Sequence, residues 1–312
     1  MPILIAYLSI VILWSTTPLA IQWSTTDVGF LFGVTSRMLI GTLICLILMR
    51  LRKQRLSWNR DALVVYLSAA SGIYGSMLFV YWGALYVPSG IIAIVFGLAP
   101  FLTLVFARLL LQETAIGISQ IAGLALALLG LIITAQTRLT GFEYLTAGLL
   151  LLFASVTFHS LSAVLTKRYN TDMTALSVTT GGLVLSSLLF SATWFVFDGT
   201  MPESMPVHTL WAIVYLGSIA TGAGFVLYYF LLSEIRPSSL ALLTLITPVT
   251  AIMIGVLFNH EKLTTEILAG TGLIISGLAL NLLTQRRKVV APEMESTGDM
   301  EAEPSPDTEE NA

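Results

Sequence analysis

The sequence has little charge and almost no cysteine. Only 11% of its 312 residues are Asp, Glu, Lys or Arg, where a water-soluble domain carries roughly 25%. With a mean hydropathy of +0.87, such a chain is expected to lie in a membrane. One cysteine, Cys45, excludes a disulfide framework and a cysteine-built metal site. There is no phosphate loop, so this chain does not burn ATP. His260-Glu261 begins like a zinc-protease helix motif, but position 264 is Thr and the second histidine is missing. No Cys/His cluster and no intramembrane pair of aspartates is present. No enzyme activity, metal, cofactor or nucleic-acid partner is therefore expected. Asp and Glu are also missing from the middle of every apolar run. A carboxylate relay for protons through the bilayer centre is thus not visible.

What is present is a succession of apolar stretches, each long enough to cross a hydrocarbon core about 30 Å thick. They are continuous and too long for the alternating strands of a membrane barrel. The fold class expected is all-α and integral to the membrane, with ten transmembrane helices at 3–23, 28–49, 62–84, 88–110, 115–136, 144–165, 173–197, 208–232, 237–258 and 264–285. Residues 3–23 lack a basic leader and run into Thr16 and Thr17, so they are read as a retained span and not a cleaved signal. The gaps are short, which favours a compact bundle. Residues 292–312 hold eight acids and no base. The segment 289–312 is expected to be a disordered, acidic cytoplasmic tail, either regulatory or simply solvated.

Basic residues set the direction. Arg50, Arg52, Lys53, Arg55, Arg60, Arg108, Lys167, Arg168, Arg236, Arg286, Arg287 and Lys288 fall on one side; only Arg138 and Lys262 fall on the other. Both termini are expected in the cytoplasm, with the chain multi-pass in the inner (cell) membrane.

The two halves resemble each other. A shift of 148 residues lays Tyr81 on Tyr229, Pro100 on Pro248 and Glu113 on Glu261; one deletion later Gly123 meets Gly270 and Gly130 meets Gly277. The halves are 1–137 and 138–288. Five spans is an odd number, so the second half enters the membrane from the opposite side. Inverted repeats of this kind build carriers that rock around a central site.

The order Trp14-Ser15, Arg37, Pro100, Glu113, Gly123, Gly130, repeated in part as Phe158, Pro248, Glu261, Gly270 and Gly277, resembles the EamA family of the drug/metabolite transporter superfamily. The likeness covers residues 3–285. It implies two inverted five-helix EamA-like repeats, and a secondary transporter, an exporter or exchanger, of amino acids, nucleobases, other metabolites or drugs. It also implies a cavity lined by spans 1, 3, 4, 6, 8 and 9, with spans 5 and 10 as outer struts. Span 6 departs from the family's frequent Trp-Ala by having Phe158-His159. The other classes weighed are a channel or a non-transporting membrane scaffold. The expected partners are a small-molecule substrate, the lipid bilayer and a coupling proton if one is used; the oligomeric state is not legible.

The candidate cavity residues are Trp14, Thr17, Gln22, Arg37, Tyr74, Tyr81, His159, Tyr229 and Thr244. Trp14, Pro18 and Gln22 recur at i, i+4 and i+8 with Thr17 beside them, offering a ring and polar groups to a solute. Trp23, at the span end, is read as an interfacial anchor. Tyr74 and Tyr81 are seven apart on span 3, and Tyr229 is the repeat mate of Tyr81. Ser155, His159 and Ser162 form a polar stripe on span 6. His159 either contacts solute or a proton, or is a neutral ring bonded to a carbonyl. Arg37, between Gly33 and Gly41, is a permanent charge deep in span 2. It either binds an anionic solute group or staples spans through carbonyls. Pro18, Pro100 and Pro248 each remove a helix hydrogen bond and are candidate hinges, with static kinks as the alternative. Glu113 and Glu261 are read as caps of the helices that follow. Gly123, Ala127, Gly130, Gly270, Gly272, Ser276 and Gly277 are read as close-packing scaffold.

Overall fold

The computed structural model describes residues 3–112, 118–135, 144–170, 172–240, 247–260, 263–277 and 279–280. Apolar stretches surrounded by lipid must satisfy their backbone internally, and the helix is the way a single segment does so. The described residues are accordingly helical. The helices are α1 (Ile3–Trp23), α2 (Phe30–Leu51), α3 (Arg60–Gly83), α4 (Ser89–Leu111), α5 (Ile118–Ala135), α6 (Leu145–Tyr169), α7 (Ala175–Phe197), α8 (Val207–Glu234), α9 (Thr247–Asn259) and α10 (Thr265–Gly277). A single turn at Pro237–Leu240 follows α8. Seven of these, α1–α4 and α6–α8, are long and apolar enough to cross a membrane; α5, α9 and α10 contain shorter apolar stretches. The acidic tail, Glu113, Glu261 and the basic residues Arg138, Lys262, Arg286, Arg287 and Lys288 lie outside the described residues.

Local chemistry sets the helix ends. The Asn59 side chain accepts the amide of Ala62 at 2.8 Å and starts α3; Thr174 does the same for α7 through Ser177. Such caps occupy amides that the first turn leaves unpaired. Gln112 ends α4 in the left-handed region, φ 55°. His260, 148 residues on, follows α9 with φ 52°.

Two irregularities recur at matching places in the two halves. α3 widens into a π segment at Ser71–Ser76, and α8 does so at Leu216–Ala223. Under the 148-residue shift these overlap. α4 is interrupted after Phe96 and resumes as Ala99–Leu111. Under the same shift that second segment corresponds to the described part of α9, Thr247–Asn259. Pro100 therefore sits at the second position of a helical segment, while the residues before Thr247, on which the reading of Pro248 depends, lie outside the described residues. At Pro100 the missing N–H costs nothing and the fixed φ suits the first turn. This corrects the expectation of a mid-helix kink: at Pro100 the break lies before the proline, at Gly97 and Leu98. Pro18 alone is inside a continuous helix.

The packing partners repeat when each helix is exchanged with the one five places away. α2 packs on α7 and α4 on α9. α1 meets α9 as α6 meets α4; α2 meets α8 as α7 meets α3; α1 meets α8 as α6 meets α3. α5 and α10 cross through glycines in the same way. A Cβ at Gly123 would collide with the carbonyl of Gly277, and one at Gly277 with the carbonyl of Gly123. A Cβ at Gly130 would collide with the carbonyl of Gly270, at 2.5 Å. These contacts run antiparallel. Of the expected scaffold residues, Gly272 is not part of the crossing, since nothing lies within 4 Å of it, and Ser276 is exposed and bonds Gly272 of its own helix.

Candidate functional site

Seven helices enclose a central cavity of about 70 Å³, room for a handful of waters. α1 contributes Trp14, Thr17, Pro18 and Ile21, α2 contributes Arg37, and α6 contributes His159. α3, α4 and α8 supply apolar surface, including Val80, Phe96 and Phe225, and α9 supplies Thr247. The wall is therefore aromatic and apolar, with a guanidinium and an imidazole as its main polar features.

Arg37 is 2% exposed. Its Nε donates to Thr221 Oγ1 at 2.6 Å and its Nη1 to Tyr81 OH at 3.4 Å. The guanidinium carbon lies 5.9 Å from the centre of the Tyr81 ring. Thr221 belongs to the π segment of α8, and α2 approaches that segment closely because Gly41 and Gly217 carry no side chains: a Cβ at either would strike the neighbouring helix. Both partners of Arg37 are neutral hydroxyls. Among the described residues no carboxylate pairs with it, and Nη2 has no protein partner. Hydroxyls do not neutralise a guanidinium as a carboxylate would, and a donor is left for an anion. The guanidinium thus ties α2 to α8 and α3, as the stapling alternative expects, but through hydroxyls and not carbonyls.

Trp14, Phe96 and His159 of the wall belong to a ring cluster that Tyr228, outside the lining, completes. Trp14 and His159 stand edge to face at 5.6 Å, Trp14 and Tyr228 lie 5.4 Å apart, and His159 and Tyr228 5.5 Å apart; Phe96 is 5.9 Å from His159. Neither nitrogen of His159 has a protein hydrogen-bond partner among the described residues, so the carbonyl-bonded alternative is not seen either. Aromatic faces of this kind attract apolar groups and cations.

The two ends of the cavity are tied by hydrogen bonds at matching places. At the end of α1, Gln22 Nε2 donates to Val87 O at 2.6 Å, Asn259 Nδ2 donates to Gln22 Oε1 at 3.3 Å, and Trp23 Nε1 donates to Asn259 Oδ1 at 3.3 Å. At the end of α6, Lys167 Nζ donates to Leu232 O and Ser233 O at 2.9 and 2.8 Å, and Arg168 Nη1 to Leu110 O at 3.1 Å. One tie is amide-based and the other cationic.

Comparison with known proteins gives this geometry a family. The EamA-like transporter family model matches residues 1–136 and again 146–283. The chain belongs to the EamA-like transporter family. It is 23% identical over 292 residues to the "Uncharacterized transporter YoaV" of Bacillus subtilis (strain 168), covering 92% of this chain and 99% of that one. It is 26% identical to a "Probable amino-acid metabolite efflux pump" of Escherichia coli (strain K12), over 65% of this chain and 71% of the other. A "Probable terminal-alkyne amino-acid exporter" of Streptantibioticus cattleyicolor is 28% identical, over 75% and 78%. A solved crystal structure superposes with a TM-score of 0.67 at 21% identity, covering 90% of this chain and 98% of its own, a likeness of fold. The EamA protein is thus a multi-pass membrane transporter.

Several expected site residues of this EamA protein fall elsewhere. Gln22 is at the end tie and does not line the cavity; eight residues beyond Trp14 it is about 12 Å further along the axis. Trp23, expected as an interfacial anchor, takes part in the same tie. Tyr74 turns away to α7, where its hydroxyl meets Thr193 Oγ1 at 2.8 Å and its ring packs on Phe190 at 4.7 Å. Tyr81 is fully buried behind Arg37 and acts through it. Tyr229 bonds Ala69 O at 3.4 Å and borders a separate pocket at the α6 end. Ser155 and Ser162 bond the carbonyls of Ser76 and Ser68 at 2.8 and 2.7 Å. They clamp α6 to α3 just before its π segment and at that segment's last residue, leaving His159 alone of that stripe at the cavity. Phe158, the repeat mate of Trp14, is 39% exposed and stacks on Phe79. Thr244 lies outside the described residues, as does the side chain of Pro248. The resemblance left out α2, which supplies Arg37. Tyr228, Thr221 and Phe96 were not singled out as site residues. Tyr228 is the repeat mate of Val80, but only the structure shows that Val80 lines the cavity.

Proposed function

We propose that this protein is an inner-membrane exporter or exchanger of amino acids or closely related carboxylates, working by alternating access. Arg37 carries the reading: a buried cation at the cavity wall, held by two hydroxyls, with Nη2 left for a carboxylate. Trp14, His159, Phe96 and Tyr228 receive the ammonium group or the apolar side chain of the same solute. The names of two relatives, an amino-acid metabolite efflux pump and an amino-acid exporter, favour the same solute class. Thr17 and Pro18 complete the α1 wall. The break at Gly97 and Leu98, before Pro100, provides one joint about which a cavity end separates, and its repeat mate Pro248 is the candidate for the other.

The architecture we infer is ten spans in two inverted five-helix repeats, 1–137 and 138–288, with both termini cytoplasmic. The reciprocal glycine crossing of α5 and α10, the paired π segments and the exchange of packing partners support it, because each is what a two-fold axis in the membrane plane produces. The distribution of basic residues sets its direction.

The test is counterflow into proteoliposomes loaded with a panel of L-amino acids. Each acid is compared with its amide and its decarboxylated amine. The expected result is saturable exchange of at least one acid, with analogues lacking the carboxylate weaker by about 10²-fold or more, since a buried donor left unpaired discriminates strongly. Equal exchange of acid and amide rejects the role of Arg37.

A further inference from the structure

We propose that the EamA protein carries a second anion subsite, at the cytoplasmic end between α6 and α8, which receives a solute carboxylate before it reaches Arg37. The proposal rests on the amino-acid reading above. A cavity of about 190 Å³, separate from the central one, is lined there by Thr166, Lys167, Asn170, Tyr229, Leu232 and Ser233, with Met173 at its edge. Two groups in it carry the argument.

The first is the Thr166 hydroxyl. Thr166 is 1% exposed, yet its Oγ1 has no hydrogen-bond partner. Several threonines on helices here bond the carbonyl four residues back, as Thr17, Thr179 and Thr180 do at 2.7, 2.8 and 2.7 Å, and others, such as Thr35 and Thr42, bond a neighbouring helix. Thr166 does not use that local escape. A buried polar atom left without a partner is costly, and Thr166 is one of the residues around this cavity. The second is the Lys167 ammonium, which reaches the carbonyls of Leu232 and Ser233 and brings a positive charge to the same wall. Asn170 is occupied by the backbone of Met173 in both directions, so it shapes the pocket. Glu234 and Asp172 are exposed and do not line it.

The matching place at the other end of the molecule holds Gln22 and Trp23, which are neutral. Among the described residues of the two ties, the cations lie at the α6–α8 end, beside the tie that closes the path. A carboxylate arriving at Lys167 competes with the carbonyls of Leu232 and Ser233 and so loosens that tie as it binds.

The experiment is ¹⁹F NMR of trifluoroacetate, a minimal carboxylate, with the purified full chain in a neutral detergent. Wild type should bind the probe with a component that is about tenfold weaker in Lys167→Gln, the scale of one charge-assisted hydrogen bond. Lys167→Arg should retain it. Thr166→Val removes only an unpartnered hydroxyl, keeps the volume and the tie, and should weaken the same component severalfold with no loss of thermal stability. Probe binding that is unchanged in both Lys167→Gln and Thr166→Val would overturn the subsite. Displacement of the probe by phosphatidylglycerol at low mole fraction would also overturn it, by assigning the pocket to a lipid headgroup. If amino-acid counterflow is absent while the Lys167- and Thr166-dependent binding persists, the subsite stands and the transported solute must be a different carboxylate.

Discussion

Thr221→Val separates an Arg37 held by the π segment of α8 from one that is merely tolerated there. The substitution conserves shape and removes one acceptor. Thr221 is fully buried, and its hydroxyl receives Arg37 Nε at 2.6 Å, the shorter of the two bonds to the guanidinium. The remaining bond, to Tyr81, is 3.4 Å long and cannot compensate. A buried hydrogen bond to a charged group is worth roughly 1.5–3 kcal/mol, so the variant should lose about 2 kcal/mol. Cys45 is a native reporter for this loss. It is the sole cysteine in the chain, fully buried, and its thiol lies 3.7 Å from the carbonyl of Gly222, the neighbour of Thr221. A thiol-reactive fluorogenic dye added to purified protein therefore reads the opening of this contact as the temperature rises. The midpoint should fall in Thr221→Val, and a bound amino acid should restore part of it by supplying the guanidinium with a new partner. An unchanged midpoint would refute the coupling of Arg37 to α8.

Three further outcomes are expected. Gly277→Val must force α5 and α10 apart and should cost about 1–3 kcal/mol, whereas Gly272→Val, facing open space, should be nearly neutral by the same dye assay; equal losses would contradict the crossing. His159→Phe keeps a ring against Trp14 and Tyr228 but removes both nitrogens. It should change stability by less than about 1 kcal/mol and lower counterflow; wild-type transport at every pH would remove His159 from solute and proton contact. Gln22→Leu breaks the tie to Val87 and Asn259 and should increase the labelling of cysteines placed at the α1–α9 end from outside. Unaltered labelling would show that the tie does not hold that end closed.

The helices and their order were legible because length and apolarity alone force a membrane segment into a helix. Trp14, Thr17, Arg37 and His159 were legible as cavity residues because polar or aromatic groups in mid-span have few other places to go, whereas Pro18, read as a hinge, also lines the cavity. Tyr74 was not, and the reason is local. Pairing it with Tyr81 at a spacing of seven assumes an even helical turn, but Tyr74 lies inside the π segment Ser71–Ser76, whose wider turn rotates it towards α7. No residue pattern used here marks that segment except the small residues Ser71, Gly72, Gly75 and Ser76. The serines of the α6 stripe were misjudged for a different reason. A serine in a membrane helix is short and bonds the nearest carbonyl, here on α3, while the longer imidazole a fraction of a turn away reaches past it to the cavity. Pro100 reads as a kink from its neighbours alone; that a new helical segment begins at Ala99 depends on the interruption at Gly97 and Leu98, which only the packing of α4 against α9 and α6 reveals.

Alternating access is tested most directly by paired distance measurements in one preparation. Spin labels at residues 25 and 258 span the α1–α9 end, and labels at residues 168 and 234 span the α6–α8 end. On adding a transported amino acid, one distance should lengthen only in molecules where the other stays short. Both distances lengthening together in the same molecules would describe a channel and contradict the carrier account.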